Sequence, residues 1–227
     1  MNEVHRSVAI DGPSGAGKSS IARRSAKALG FIYVDTGAIY RTVGLAVHRA
    51  EIGSRDIEKI KALLPTLEIA LRYADSGEQR MFLNGEDVSG AIRTPEISLY
   101  ASDVSAFPEV RAYLMETQRR LPRENDVIMD GRDIGTVVLP DAGLKIFLTA
   151  SPEARAQRRL LELREKGQPA EYEEVLRDIR YRDHNDSSRA AAPLKQAEDA
   201  LLLDTTDLDF EESCSAVENM IREKFAL

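Results

Sequence analysis

Short apolar runs alternating with longer amphipathic segments set the rhythm of this chain. Ser7–Asp11 is apolar, brief and followed by glycines, which predicts a buried parallel strand. Ser19–Leu29 has helical spacing and meets a natural stop at Gly30. Phe31–Asp35 predicts a second strand and Ala38–Ala50 a second helix; past Gly53 a short charged helix runs to Leu64. There the pattern changes. Leu67–Tyr73 alternates apolar and polar, Asp75-Ser76-Gly77 turns, and Gln79–Leu83 runs into Asn84-Gly85, all of them hairpin signals. Residues 61 to about 95 therefore read as a small antiparallel insertion. Pro108 then opens a helix to about Arg120, and apolar strands return at Val127–Asp130, Leu144–Thr149 and Ala200–Asp204. Helices at 152–166, at about 171–189 and from about Phe210 fill the intervals. Strands alternating with helices predict an α/β fold, a five-stranded parallel sheet covered on both faces.

Composition narrows the partners. The 227 residues carry a net charge of −7, so bulk electrostatics repel nucleic acid polymers and acidic membranes. Any polyanion the protein handles must meet a local basic cluster. The lone Cys214 excludes an internal disulfide or a multi-cysteine metal site, and no run is long and apolar enough to span a bilayer. The N-terminal residues lack a signal-peptide core. The expectation is a cytoplasmic monomer with small-molecule partners.

The chemistry begins between the first strand and the first helix. Gly12-Pro13-Ser14-Gly15-Ala16-Gly17-Lys18-Ser19, continued by Ser20, has the spacing of a P-loop. Its glycines let backbone N–H groups turn inward around phosphate oxygens, and the next helix points its positive end at them. Lys18 supplies a point charge for the β and γ phosphates, and the Ser19 hydroxyl can ligate Mg²⁺. A chance glycine turn is the bland alternative, but strand, loop and helix are all present. The guanine-reading Asn-Lys-x-Asp of switch GTPases is absent, and Asp87-Val88-Ser89-Gly90 falls in the insertion.

Further charged residues follow strand ends, where ligands of open α/β sheets sit. Asp35-Thr36-Gly37-Ala38-Ile39-Tyr40-Arg41 offers Thr36 as a cap for the second helix and Arg41 one turn inside it; taken alone, a plain cap and a solvated arginine are the favoured reading of the pair. Asp130 closes a strand where a Mg²⁺-holding carboxylate stands in P-loop proteins, although a turn-forming Asp-Gly fits too. Arg132 and Asp133 follow it. Arg155, Arg158 and Arg159 lie at i, i+3 and i+4, and Arg182, Asp186 and Arg189 at i, i+4 and i+7 on one helical face. Alone, each set reads as a solvated, ion-paired face. Together, in an acidic protein with a P-loop, they point to guanidinium groups that stabilise a transferring phosphoryl group. The two helices of 151–189, divided by Gly167-Gln168-Pro169, are expected to act as a lid.

With these stretches assembled, the chain resembles the nucleoside monophosphate kinases, and most closely bacterial cytidylate kinases. The resemblance rests on residues 10–18, 35–41, Gly85-Glu86-Asp87-Val88-Ser89-Gly90, Asp130-Gly131-Arg132-Asp133-Ile134-Gly135-Thr136-Val137-Val138 and Arg189-Ala190-Ala191-Ala192-Pro193-Leu194, in family order across nearly the whole chain. It implies a P-loop NTPase-type three-layer fold with a five-stranded parallel core at about 1–60, 96–150 and 190–227. It also implies a monophosphate-binding insertion at about 61–95, a short helical lid, and phosphoryl transfer from ATP to CMP or dCMP with Mg²⁺. Carried over by position, Thr36, Arg41 and Arg132 serve the acceptor and Ser102, Arg111 and Asp133 read cytosine. Arg182, Asp186 and Arg189 contact ribose and the transferring phosphates. Apart from the resemblance, the arginine sets and the P-loop place Arg158 in the expected catalytic set with Lys18. Asp133 would accept from the cytosine N4 amine while Arg111 donates to N3 and O2; uracil would set a carbonyl against the carboxylate. The chain departs from the family at Lys18-Ser19-Ser20, where many relatives have Lys-Gly-Thr, and at Thr36, where serine is commoner. Either Ser19 or Ser20 then approaches Mg²⁺.

Overall fold

Apolar strands and amphipathic helices alternate from the first described residue onward. The computed structural model describes residues 5–165 and 167–227, so the expectations for residues 1–4 and for Lys166 fall outside it. In chain order the elements begin with β1 (Ser7–Asp11), α1 (Lys18–Leu29), β2 (Ile32–Asp35), α2 (Thr36–Arg49) and α3 (Ile57–Leu63). Next come β3 (Ile69–Tyr73), β4 (Gln79–Leu83), β5 (Glu86–Asp87), α4 (Pro95–Val104) and α5 (Pro108–Arg120). The chain ends with β6 (Val127–Gly131), β7 (Leu144–Thr149), α6 (Pro152–Glu165), α7 (Tyr172–Ser188), β8 (Leu201–Asp204) and α8 (Phe210–Phe225). Two compact units result, one made of residues up to Tyr33 with Asn125–Leu227, the other of Val34–Glu124.

The parallel sheet has the order β2-β6-β1-β7-β8. Its central strand β1 pairs in parallel with β6 (Val8 opposite Ile128) and with β7 (Val8 opposite Leu144). A strand buried on both faces must be apolar throughout, as Val8, Ala9 and Ile10 are. On one face Val8, Ile10, Ile128, Ile146 and Leu148 pack with Ile21, Ala22 and Ala26 of α1 and Cys214, Val217 and Ile221 of α8. Each such aliphatic side chain stabilises the fold by roughly 1.5–3 kcal/mol. Local signals fix the helix ends. Gly30 closes α1 in the left-handed region and donates to the Ala26 carbonyl, and Asp209 with Glu212 forms a capping box on α8.

In the second unit β3, β4 and β5 form an antiparallel sheet. The expected hairpin is present, with Leu71 opposite Met81, and it gains the short strand β5. Helix α4 stands where no element was expected, although Thr94 caps it and Pro95 occupies its first position. Its backbone passes close to α2 at Gly44, where a Cβ would come within 2.9 Å of the Ala101 nitrogen.

Candidate active site

The sequence SVAID-GPSGAGK folds into strand, loop and helix because each part permits only that. Gly12 leaves β1 with φ +151°, and a Cβ there would lie 1.9 Å from the Leu148 carbonyl oxygen, so no other residue fits. The loop runs into the N-terminus of α1, whose first residue is Lys18. That side chain is buried, and its Nζ donates to the Pro13 carbonyl at 2.7 Å. Burial pushes the ammonium down to about 7, with the Arg132 charge adding to the fall and Asp130, Asp186 and Asp11 opposing it. An anion bound in the loop would add a counter-charge to this ammonium.

Beside the loop the Ser19 hydroxyl donates to Asp130 Oδ2 at 2.7 Å, and the Tyr33 hydroxyl donates to Asp130 Oδ1 at 2.9 Å. Ser20 is exposed. Of the two hydroxyls, Ser19 is the one held beside Asp130. A hydroxyl and a carboxylate held side by side are hard oxygen donors of the kind Mg²⁺ takes. Among the described residues no group of three or more His, Cys, Asp or Glu is arranged to hold a metal. The pair therefore fits an ion that arrives with a nucleotide and keeps most of its ligands from phosphate and water.

Past β6 the chain turns through Arg132 and Asp133 into a π-helical turn, Ile134–Val138. Asp11, the last residue of β1, fixes this turn from across the sheet. Its carboxylate accepts the Ile134 N–H at 2.8 Å and the Gly135 N–H at 2.7 Å. Burial raises this carboxyl to about 6, with the Asp133 charge adding to the rise; the two N–H bonds and Lys18 oppose it. Nothing in the linear pattern marked Asp11, whose partners lie over a hundred residues away.

Arg132 Nε donates to Asp186 Oδ2 at 2.7 Å. Burial works against its charge, but Asp186 outweighs it and holds the guanidinium above its usual range. Arg189 approaches both Asp186 (3.8 Å) and Asp133 (3.9 Å). Arg182 is partly buried on α7, its Nε without a hydrogen-bond partner, and burial lowers its pKa. One expectation about these arginines changes. Arg189 does not continue the helical face: α7 ends at Ser188, and Arg189 sits in extended backbone with Nε donating to the Ala192 carbonyl at 2.6 Å. It reaches Asp186 from the loop. Arg158, expected in the catalytic set, donates to Thr205 Oγ1 (3.2 Å), the Thr205 carbonyl and the Leu208 carbonyl (3.2 Å) in the turn after β8.

The second unit carries Thr36, Arg41, Ser102 and Arg111. Here too one expectation is corrected: the cap of α2 is Asp35, which accepts the Ala38 N–H at 2.8 Å, while Thr36 is the first helical residue. The same carboxylate pairs with Arg41 Nη2 at 2.9 Å. The buried side chain of Gln79 on β4 grips the Asp35 backbone, accepting its N–H at 2.8 Å and donating to its carbonyl at 3.2 Å. Gln79 thus stands in for a strand neighbour at the end of β2, a role no local motif announced. Arg111 lies over the Tyr40 ring, 5.5 Å from its centroid, and donates to the Ser105 carbonyl at 3.2 Å. The Ser105 hydroxyl in turn donates to the Ser102 carbonyl at 2.9 Å, so Ser102 and Arg111 are tied through one residue.

Fold and loop together define a P-loop phosphotransferase-type protein. The family model for cytidylate kinase matches residues 8–223. A cytidylate kinase of Caldicellulosiruptor saccharolyticus is 53% identical over 90% of each chain, and one from Caldanaerobacter subterraneus subsp. tengcongensis is 53% identical over 95% of this chain and 94% of that one. Among solved structures, a shikimate kinase from Bacteroides thetaiotaomicron superposes with a TM-score of 0.48 at 13% identity, covering 98% of this chain and 99% of that one. The chain belongs to the cytidylate kinase family.

Proposed function

We propose that this protein transfers the γ-phosphoryl group of ATP to the phosphate of CMP and dCMP. The observation that carries the reading is the family match over residues 8–223, which spans the P-loop and every charged residue placed in the site. Residues 12–20 receive the triphosphate, with Lys18 on its outer phosphates. Ser19 and Asp130 would hold Mg²⁺, which when bound neutralises phosphate charge. The acceptor oxygen is already a nucleophile near neutral pH, so no dedicated base is needed and transfer proceeds in line without a covalent enzyme intermediate. Arg41, Arg132, Arg182 and Arg189 lend charge to the equatorial oxygens that gain it, while Asp186 orients two of these guanidinium groups. Thr36 assists at the acceptor phosphate, and Ser102, Arg111 and Asp133 read the base. The proposal also takes the enzyme to be monomeric and cytoplasmic, acting on neither nucleic acid nor membrane.

A coupled assay with ATP and Mg²⁺ across CMP, dCMP, UMP, AMP and GMP tests it. Turnover of CMP and dCMP at least about a hundredfold above AMP and GMP is expected, in line with buried polar groups rejecting the wrong base. Equal turnover of AMP and CMP would sink the claim.

A further inference from the structure

Arg155 makes four hydrogen bonds within the first unit, and beyond the expectation that its arginine set stabilises a transferring phosphoryl group it has so far been given no role of its own. It is 3% exposed. Its Nε donates to the Ala150 carbonyl at 2.8 Å, where β7 has ended. Nη1 donates to the Ser14 carbonyl of the P-loop at 2.9 Å and to Asp183 Oδ1 on α7 at 2.9 Å. Nη2 completes a two-pronged pair with Asp183 Oδ2 at 2.6 Å. The next loop residue, Gly15, is so close that a Cβ there would lie 3.4 Å from Arg155 Cβ and 3.7 Å from Ile179 Cδ1 of α7.

A buried ion pair of this kind contributes little net stability, since desolvation offsets most of the attraction. What it does impose is geometry: a planar guanidinium accepts partners only in fixed directions. Here those directions connect three pieces of chain, the end of β7, the P-loop and α7. Asp183 lies between Arg182 and Asp186 on α7, the residues assigned above to the transferring phosphates. An apolar contact already exists between the helices, where Ala156 and Leu160 pack on Val175, Leu176 and Ile179. That contact holds α7 against α6 but does not fix α7 relative to the loop.

We propose that Arg155 is a positioning residue that sets the register of α7 against the P-loop, through Ser14 on one side and Asp183 on the other. The inference rests on the phosphotransferase reading above. It separates two effects. Asp183→Asn leaves Arg155 on Ser14 and Ala150 but loosens α7, so kcat should fall about tenfold or more while KM for ATP stays within about twofold. Arg155→Met removes both connections, so KM for ATP should rise as well. Because both act through one link, the double variant should lose no more kcat than Arg155→Met alone. Asp183→Glu keeps a carboxylate and should recover part of the lost kcat.

Steady-state kinetics with ATP and CMP, on variants checked for native thermal unfolding, decide the matter. A folded Asp183→Asn enzyme with kcat within twofold of the parent would overturn the proposal, as would additive losses in the double variant. Should Arg155→Met fail to fold, Arg155→Lys, which retains the charge but not the fork, is read by the same kcat and KM pattern. Absence of CMP turnover in the parent enzyme is a different result: it removes the phosphotransferase reading, and this proposal with it.

Discussion

Asp11 shows how a single carboxyl group couples the phosphate loop to the charged turn after β6. Its folded-state pKa of about 6 stands above the ordinary 3.8, so the native chain keeps a proton that the unfolded chain has lost between those values. The favourable contribution is therefore complete below about pH 4 and is lost as pH rises through 6. Asparagine cannot titrate. Between pH 4 and 7, wild-type stability should fall relative to Asp11→Asn by on the order of 3 kcal/mol. Urea unfolding of both proteins at the two pH values measures this, and parallel profiles would show that Asp11 titrates normally. At Asp133 the prediction concerns selectivity. Its carboxylate is buried beside Arg189 and is assigned to the cytosine amine. Asp133→Ala should lower kcat/KM for CMP by about a hundredfold or more and leave the poor activity toward UMP little changed. An equal loss on both nucleotides would assign Asp133 a purely structural role.

Among elements, the contact of α2 with α4 depends on one missing Cβ. Alanine is the better helix former than glycine by about 1 kcal/mol, which favours Gly44→Ala in isolation. Packing decides otherwise. The new Cβ would lie 2.9 Å from the Ala101 backbone nitrogen and 3.3 Å from the Ile97 carbonyl oxygen, and backbone cannot rotate away as a side chain can. Overpacking of this kind costs roughly 1–3 kcal/mol, so the net change should be a loss, and a melting temperature lowered by a few degrees. A variant as stable as the parent would mean the helices separate freely. This same contact explains what could be read from the sequence. Strands β1, β6 and β7 announce themselves because burial on both faces demands short, mainly apolar runs, and the P-loop because its glycines are dictated locally. Helix α4 has a cap at Thr94, yet its polar Ser98, Ser102 and Asp103 mask the apolar spacing of Ile97, Ala101 and Val104. Long-range partnerships leave still less trace. Gln79 on the Asp35 backbone, Asp11 on Ile134 and Arg155 on Ser14 are each set by tertiary approach, and no spacing rule encodes them. Arg189 shares a helical face with Arg182 and Asp186 only if the period runs past Ser188, where the backbone leaves the helix.

For the whole molecule, the proposed contacts of the two nucleotides begin in different units. The loop at 12–20 and its partners Asp130 and Tyr33 belong to one unit, while the Asp35–Arg41 turn, Gln79 and the Ser102–Arg111 link belong to the other. A ligand that binds only the folded state stabilises by RT ln(1 + [L]/Kd), about 2.7 kcal/mol at a hundredfold excess over Kd, and slows opening where its contacts are. Amide hydrogen exchange should therefore resolve the pair. ATP alone should protect the N-terminal turn of α1 and the loop before it, leaving 35–41 near its ligand-free rate. CMP alone should protect 35–41 and the helices carrying Ser102 and Arg111, with little change at 12–20. The opposite pattern, CMP protecting the P-loop and ATP the Asp35 turn, would exchange the two assignments. The net charge of −7 sharpens this expectation, since a phosphate ester finds attraction only where arginines and Lys18 are gathered, and weak binding elsewhere is suppressed. Protection confined to the segments named for each nucleotide is what an acidic protein with local clusters of cationic residues should show.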